Sequence, residues 1–356
     1  MMVDLNKVME QFKIDKTPIP YGNGHINDTY CIESPRCILQ RINTKVFKNP
    51  DELMENIENV TAFLRDKIIQ AGGDPDRETL TVIKTKDGKN FYQYDADNAF
   101  RVYKFIENTK TIEFDKTNED MYEAGIGFGR FQKMLADFPV EKLYETIVDF
   151  HNTPKRVEAL KQAIEENRAG RKDLVEEEIR FALEQAEYAD VIVKKLEKGD
   201  IPYRVTHNDT KINNILFDEE TGKAVCVIDL DTIMPGSMLY DFGDALRIGA
   251  STAAEDETNL DNVQFDLEAF KSFTKGYLSE TKDSLVNDEI KLLPLGVKLM
   301  TYECGIRFLT DYLNGDTYFK IHREHHNLDR ARNQFKLVQD IDTKTDEMHK
   351  ICMEML

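Results

Sequence analysis

The sequence predicts an α+β protein with two lobes, because strand patterns fill its first part and helical patterns fill most of the rest. Short apolar runs separated by turn signals dominate residues 1–107, whereas amphipathic helices dominate from residue 121 onward. The chain has 356 residues, more than one ordinary domain requires, and no internal repeat divides it. A β-rich part followed by a helical part is typical of α+β folds. We therefore expect an N-terminal lobe over 1–107 and a C-terminal lobe over 108–356.

The N-terminal lobe should begin with a helix and continue as a hairpin. Apolar residues recur at helical spacing over 5–12, and a glycine-rich turn (YGNGH) follows at 21–25. Strands are expected over 27–32 and 36–42, with a turn at Ser34 between them.

The rest of this lobe should contain one helix and three strands. Leu53, Ile57, Val60 and Leu64 line one face of a helix. Strands over 79–86 and 90–95 flank an Asp-Gly pair, which predicts a hairpin, and a last strand covers 101–107.

The C-terminal lobe should be helical on both sides of one compact strand region. Residues 121–137 predict a helix, and the Glu-, Lys- and Ala-rich stretch 155–199 has helical periodicity throughout. Short apolar runs return over 203–231, and the stretch 265–356 is again helical, with a helix end at Asn314.

The amino-acid composition limits the kinds of molecule that the protein can bind and the cellular compartment in which we expect it. The net charge of −19 repels phosphate backbones, so we expect neither nucleic acid nor an anionic membrane as a partner. No run approaches the roughly 18 apolar residues of a membrane span, and the first residues lack the pattern of a secretory signal. The five scattered cysteines lack a CxxC pair, as expected for reduced thiols in a cytoplasmic protein.

The residues that can do chemistry lie between 205 and 229. Apolar runs in 205–217 (VTHNDTKINNILF) and 224–229 (AVCVID) predict a small hairpin, which Asn214 enters and Asp229 leaves. We expect these two side chains to converge, and their amide and carboxylate oxygens suit Mg²⁺. Asp209, five residues before Asn214, can accept a proton from a hydroxyl nucleophile. The set therefore points to phosphoryl transfer.

This spacing has a clear family resemblance. His207-x-Asp209-x4-Asn214, followed after a hairpin by Asp229, resembles the catalytic loop and metal-binding aspartate of the aminoglycoside phosphotransferase and choline kinase superfamily. Members of that superfamily share the protein-kinase fold. The resemblance therefore implies a kinase that uses ATP and Mg²⁺ to phosphorylate a small-molecule acceptor.

Longer strings narrow the resemblance. Residues 207–252, 21–30 (YGNGHINDTY) and 303–319 (ECGIRFLTDYLNGDTYF) are similar to bacterial N-acetylhexosamine 1-kinases, so the similarity extends over nearly the whole chain. It implies that the acceptor is a sugar, with the anomeric hydroxyl of N-acetylglucosamine or N-acetylgalactosamine phosphorylated to the sugar 1-phosphate.

The resemblance also implies a role for particular residues. Asp209 would be the catalytic base beside the substrate, His207 would anchor its loop, and Asn214 and Asp229 would hold Mg²⁺. The other implied contacts are Gly22, Asn23, Gly24, Asn27 and Gln40 at the phosphates, Phe105 and Ile106 at adenine, and Thr232 and Arg307 at the sugar.

One feature of the family pattern is missing. Residues 37–41 (CILQR) occupy the strand where the family usually has a lysine or arginine after two apolar residues. Gln40 or Arg41 must take this role, and only one of the two can face the cleft. Glu58 is the expected helix carboxylate partner.

Three other patterns have simpler interpretations than a site. The literal Asp-Phe-Gly at 241–243 lies beyond the hairpin, so Asp241 and Asp244 are expected to brace the catalytic loop. Gly125, Gly127 and Gly129 lack nucleotide-fingerprint spacing and a preceding strand, and they indicate a close helix contact. Glu303 and Arg307 could form an intrahelical ion pair, which competes with the sugar contact implied for Arg307.

Two other functions stay open. The same chemistry could act on an amino alcohol or aminoglycoside, such as choline or homoserine, and the acidic chain suits a cationic acceptor. A catalytically silent nucleotide-binding regulator is the second alternative, because the usual lysine is missing. A protein kinase is disfavoured, since no activation loop with an Ala-Pro-Glu ending follows Asp229.

Overall fold

The computed structural model describes residues 3–22, 27–113 and 116–356, and it divides into two compact units. The first unit comprises Met1–Thr111, Asp137–Val148 and Ile215–Pro235, and the second comprises Ile112–Ala136, Asp149–Asn214 and Gly236–Leu356. Strands concentrate in the first unit and helices in the second. The predicted α+β, protein-kinase-like fold is confirmed.

A six-stranded antiparallel sheet organises the first unit. Its strand order is β1-β2-β3-β6-β4, with β5 also paired to β6. In β3 the buried residues are Cys37, Leu39 and Ile42, so both faces of this strand contribute buried side chains. The strands are β1 (Ile19–Pro20), β2 (Asp28–Glu33), β3 (Arg36–Asn43), β4 (Val82–Ile83), β5 (Tyr92–Asp95) and β6 (Asn98–Lys104).

The described part of this unit contains three α-helices: α1 (Leu5–Gln11), α2 (Pro50–Gln70) and α3 (Pro75–Glu78). Asn49 caps α2 by accepting from the backbone N–H of Glu52, and the four apolar residues predicted to line this helix are all buried. Helix α1 contributes Val8 and Met9 to a core cluster with the sheet.

The predicted hairpin around Asp87 is wrong in its pairing. The turn itself forms, since the N–H of Gly88 donates to the carbonyl of Thr85 at 2.9 Å. However, β4 and β5 each pair with β6 and not with one another. The apolar strand β6 therefore determines where both flanking segments pair.

A smaller sheet explains why the first unit is discontinuous in sequence. Strand β7 (Thr109–Lys110) pairs with β9 (Ile215–Asp218), which forms the predicted hairpin with β10 (Ala224–Val227). Arg77 adds a 2.5 Å ion pair to Asp218. These contacts place Ile215–Pro235 in the first unit, so its boundary is not one cut near residue 107.

The second unit is built mainly from helices. Helix α10 ends just before Gly315, whose φ of 92° closes it at the predicted position. This unit also contains the short strand β8 (Arg204–Thr206), whereas β11 (Met234–Gly236) begins in the first unit and ends in the second. The helices are α4 (Asn118–Met134), α5 (Thr153–Glu166), α6 (Glu176–Glu184), α7 (Val191–Lys198), α8 (Met238–Gly249), α9 (Leu267–Thr281), α10 (Asn287–Leu313) and α11 (His326–Glu354).

Glycines allow α4 and α9 to pack backbone against backbone. A Cβ on Gly125 would lie 2.2 Å from the carbonyl oxygen of Phe273, and one on Gly276 would lie 2.1 Å from the carbonyl oxygen of Tyr122. Gly125 is therefore a helix-packing residue, as predicted. None of the described helices is long and apolar enough to cross a membrane.

Candidate active site

The loop after β8 presents Asp209 with both carboxylate oxygens engaged. Oδ1 lies 3.2 Å from the ammonium of Lys211, and Oδ2 accepts a hydrogen bond from Nδ2 of Asn214 at 3.2 Å. The same Asn214 nitrogen donates to the backbone carbonyl of Asp209 at 2.8 Å. The side chain is 26% exposed, so the carboxylate is held in place yet open to solvent.

His207 anchors this loop from inside the second unit. Its side chain is fully buried and stands edge-on to Phe128 and Phe131 of α4. Its Nδ1 accepts the backbone N–H of Asp209 at 3.2 Å, which fixes the tautomer with Nδ1 unprotonated. His207 therefore holds the backbone of the candidate base.

Asp241 braces the loop from the first turn of α8, as predicted. Its two carboxylate oxygens accept the backbone N–H groups of His207 at 2.8 Å and Asn208 at 2.7 Å. Gln132 donates a third hydrogen bond at 2.9 Å. Burial nevertheless raises the pKa of Asp241, and these donors only partly offset it. Both carboxylate oxygens of Asp241 therefore bind the backbone of the catalytic loop, which is the bracing role expected for it.

Asp244 supports the same loop one helical turn later. Its Oδ2 accepts the N–H of Thr210 at 3.0 Å, and its Oδ1 lies 3.1 Å from Nε of Arg247. Burial alone would raise the pKa of Asp244, but the charges of Arg247, His151 and Lys211 together more than offset it, and the pKa is lowered. Asp244 is therefore an ionised, buried support for the loop.

Asn214 fits a role as a magnesium ligand. Its amide nitrogen is committed to Asp209, so its oxygen is the atom left to bind a cation. Mg²⁺ prefers oxygen ligands and takes few of them from a protein when substrate phosphates supply others. Within the described ranges, no group of three or more His, Cys, Asp or Glu side chains could hold a metal by itself. The donor set thus suits a phosphate-shared cation.

Asp229 lies at the end of the hairpin in an unusual backbone conformation. Ile215, the residue after Asn214, pairs with Val227, and Asp229 is the second residue after that strand. Its φ of 59° and ψ of 56° are left-handed, a region that Asp and Asn tolerate better than most residues. Asp229 opens the short 3₁₀ helix Leu230–Thr232, in which Thr232 is buried.

The positive charge near Asp229 comes from Arg101 on β6. This guanidinium is buried and forms a 2.5 Å ion pair with Asp231. Its Nε and Nη2 both donate to the amide oxygen of Gln40, at 3.1 and 2.8 Å. Asn27 donates to the other oxygen of Asp231 at 2.6 Å. Gln40 and Asn27 thus belong to a buried network around an arginine that the sequence did not single out.

The prediction that Glu58 pairs with Gln40 or Arg41 of β3 is wrong. Glu58 hydrogen-bonds to Lys84 and Asn90, and not to Gln40 or Arg41. Arg41 points to the other side and pairs with Asp28 at 2.6 Å. The ion pair between strand and helix that the family usually has is therefore not formed here.

The other residues that we expect to contact the nucleotide are only partly described. Gly22 has a φ of 70° and lies exposed after β1, whereas Asn23 and Gly24 fall outside the described residues. Phe105 and Ile106 follow β6 directly. Arg36 lies 3.9 Å above the ring of Phe105, and the carbonyl of Ile106 accepts from the hydroxyl of Thr109.

Arg307 on α10 lies among aromatic rings. Its guanidinium carbon is 5.5 Å from the ring centre of Phe150 and 5.7 Å from that of Phe319. The alternative ion pair with Glu303 is not formed, because that carboxylate binds His151 and Thr153. Arg156 donates to the carbonyl of Phe150 at 2.8 Å; burial lowers its pKa, and the charge of Arg307 lowers it further.

Two residues that contribute to the candidate site, Arg101 and His151, were not predicted from the sequence. Arg101 had a signal, namely a charged residue inside the apolar strand run 98–104, which implies a buried partner. His151 had none, since its partner Glu303 lies 152 residues away.

The fold and this loop define a protein-kinase-like class of chain. The sequence model of the phosphotransferase enzyme family matches residues 18–273, well over half of the chain, and the protein belongs to that family.

Solved structures with the same fold share little sequence with this chain. A microcompartment-associated aminopropanol kinase is 16% identical, with a TM-score of 0.58 and coverage of 97% of this chain and 98% of that one. A spectinomycin phosphotransferase, in complex with ADP and spectinomycin, is 17% identical, with a TM-score of 0.60 and coverage of 96% and 97%. An amicoumacin kinase in complex with AMP-PNP, Ca²⁺ and its ligand is 15% identical, with a TM-score of 0.59 and coverage of 96% and 92%.

Proposed function

We propose that this protein transfers the γ-phosphate of ATP to a hydroxyl of a small molecule, with Asp209 as the base. The observation that carries this proposal is the carboxylate of Asp209, held by Lys211 and Asn214 and still 26% exposed. The carboxylate takes the hydroxyl proton, the hydroxyl oxygen forms a bond to the γ-phosphorus, and the bond to the β,γ-bridging oxygen breaks to release ADP. The nucleotide and acceptor complexes of the spectinomycin phosphotransferase and the amicoumacin kinase agree with this chemistry.

Asn214 and Asp229 are the proposed Mg²⁺ ligands. The cation would neutralise phosphate charge, which matters in a chain of net charge −19. Arg101 offsets the charges of Asp229 and Asp231 from inside the first unit: burial alone would lower its pKa, but these carboxylates raise it. Gln40 acts through Arg101 in this proposal, and we expect Gly22, Asn23, Gly24 and Asn27 to contact the phosphates and Phe105 and Ile106 to contact adenine.

The acceptor we propose is a neutral sugar, the anomeric hydroxyl of an N-acetylhexosamine. Arg307 and Arg156 both contact Phe150, so this part of the second unit is locally cationic despite the acidic chain. Glu303, the buried carboxylate four residues before Arg307, has both oxygens engaged by His151 and Thr153. A cationic amino alcohol would meet repulsion here, whereas sugar hydroxyls accept hydrogen bonds from guanidinium groups.

An amino-alcohol or aminoglycoside acceptor is the second candidate. The net charge of −19 favours a cationic ligand at long range. The aminopropanol kinase and the spectinomycin phosphotransferase act on ligands of that kind. We place the enzyme in the cytoplasm in either case, where ATP and reduced thiols are both available.

The test is Mg²⁺-dependent ADP release from ATP over a panel of N-acetylhexosamines, neutral hexoses, choline, homoserine and spectinomycin. Wild type is compared with Asp209→Asn and with Asp137→Asn, an exposed carboxylate paired with Lys67. We expect turnover with N-acetylhexosamines, retained in the Asp137 variant and reduced at least about 10²-fold in the Asp209 variant.

Other outcomes separate the alternatives. Turnover only with amino alcohols or spectinomycin keeps Asp209 as base and rejects the sugar. ATP binding without turnover on any acceptor rejects the kinase and supports a silent nucleotide-binding regulator.

A further inference from the structure

The residue before the candidate base is held on both sides in a less common backbone conformation. Asn208 has a φ of 64°, in the left-handed region that Asn and Asp tolerate better than most residues. Its N–H donates to Oδ1 of Asp241 at 2.7 Å, and its carbonyl lies 3.2 Å from Nε2 of His151. These two contacts fix the peptide groups on each side of Asn208.

The ring of His151 faces two groups that can only accept hydrogen bonds. Its Nδ1 lies 2.8 Å from Oε1 of Glu303, and its Nε2 lies 3.2 Å from the carbonyl oxygen of Asn208. A neutral imidazole has one N–H and can satisfy only one of these acceptors. Both bonds form together only when the ring carries two protons and a positive charge.

The surroundings of His151 favour that charge. Glu303 is completely buried, and its second oxygen accepts the hydroxyl of Thr153 at 2.6 Å. Burial alone would raise the pKa of Glu303, but the charge of His151, its hydrogen bond and Arg307 more than offset it, and the pKa is lowered. An ionised carboxylate therefore faces the ring from α10.

The other elements packed around the ring add further negative charge. On α8, the ring of Tyr240 lies 5.3 Å from that of His151, and the carboxyl groups of Asp241 and Asp244 are close enough to interact electrostatically with it. Phe150 covers the adjacent side at 4.6 Å. Cations also interact with these carboxylates, namely Arg307 with Glu303, and Arg247 and Lys211 with Asp244. The ring thus sits among three carboxylates and two aromatic rings.

We infer that His151 is a positioning residue that acts as an imidazolium and ties the loop bearing Asp209 to helix α10. By donating to the carbonyl of Asn208, it sets the direction in which the chain enters Asp209. By donating to Glu303, it joins that loop to the helix that carries Arg307 four residues further on. The inference rests on the proposed function, because its purpose is to orient the base of that reaction.

The experiment compares His151→Gln with His349→Gln, an exposed histidine near the end of α11. A glutamine cannot donate to both acceptors in the imidazole geometry, so kcat should fall on the order of 10²-fold, with KM for ATP unchanged. His349→Gln should match wild type. Near-ultraviolet circular dichroism checks that each variant is folded.

A second measurement does not depend on turnover. Nitrogen-15 NMR of histidine-labelled protein at neutral pH should show one ring with both nitrogens protonated, and this signal should vanish in His151→Gln. In Glu303→Gln, which keeps an oxygen acceptor but loses the charge, the same ring should become neutral and kcat should fall. The Glu303 variant also serves if His151→Gln does not fold.

The results that would overturn the role of His151 differ from those that would contradict the proposed function. A neutral His151 ring in wild type, or full kcat in a folded His151→Gln, overturns the inference. Absence of turnover in wild type on every acceptor contradicts the proposed function itself, and with it the positioning role, whatever the ring's charge.

Discussion

Arg101 and Asp231 form an ion pair that is almost closed to solvent, with side chains 1% and 4% exposed and nitrogen and oxygen 2.5 Å apart. Such a pair need not stabilise the fold more than apolar residues would, but removing one partner leaves a buried, uncompensated charge. The pair therefore makes the first unit depend on an arginine located on β6, one strand away from the usual cationic position.

Arg101→Met should lower the free energy of unfolding by about 3–5 kcal/mol, because Asp231 would lose its partner and Gln40 two hydrogen-bond donors. Urea denaturation measures the loss. The control is Arg41→Met on β3, whose exposed pair with Asp28 should be worth about 1 kcal/mol or less. Equal losses in both variants would contradict the special role of Arg101.

Local patterns predicted most elements, and long-range pairing explains the failures. The periodicity of Leu53 to Leu64 identified α2, and turn residues placed the β9–β10 hairpin correctly. The Asp-Gly turn at 87 also forms, but β6 competes successfully for both of its flanks. Sequence spacing cannot predict that competition, because it depends on which strand offers the better apolar partner.

The candidate site divides in the same way. The closely spaced residues His207, Asp209 and Asn214 were predicted as one set, and the structure brings them together in one loop. By contrast, the predicted partner of Glu58 was wrong, and the partner of Gln40, Arg101, was not predicted. Those pairings join residues that are remote in sequence, so tertiary contacts decide them.

Gly125→Ala should destabilise the second unit by about 1–3 kcal/mol. Alanine ordinarily favours a helix, but here its Cβ would lie 2.2 Å from the carbonyl oxygen of Phe273, so α4 and α9 must separate. Gly129→Ala is the graded control, since its nearest contact is 2.9 Å and the loss should be smaller. Thermal denaturation of both variants checks the order, and a stabilised Gly125 variant would show that the helices can adjust.

Asp229→Asn should weaken the binding of Mg²⁺–ADP. Losing a residue that only supports a metal ligand costs about 10–100-fold in metal affinity, and we expect a larger loss here because Asp229 is itself a proposed ligand. Asparagine tolerates the left-handed backbone at this position, so the substitution removes charge with little strain. Isothermal titration calorimetry with Mg²⁺–ADP measures the change. Binding of ADP in EDTA is the internal control and should be unchanged. If both titrations weaken equally, Asp229 acts on the fold and not on the cation.

Glu303 should make the stability of the protein acid-sensitive. Its pKa in the folded state lies below the ordinary value of 4.5, because His151, Arg307 and Thr153 outweigh the effect of burial. A lowered folded-state pKa means that the unfolded chain binds the proton more readily. The stabilisation is therefore fully present above about pH 5 and is lost as the pH falls through the folded-state value.

The difference in unfolding free energy between wild type and Glu303→Gln should shrink over that acidic range. Glu58→Gln, whose carboxylate is 44% exposed, should show a much smaller difference of about 1 kcal/mol or less. A Glu303 difference that stays constant with pH would mean that the carboxylate is already protonated in the native protein. In that case His151 would have no anion to stabilise its charge.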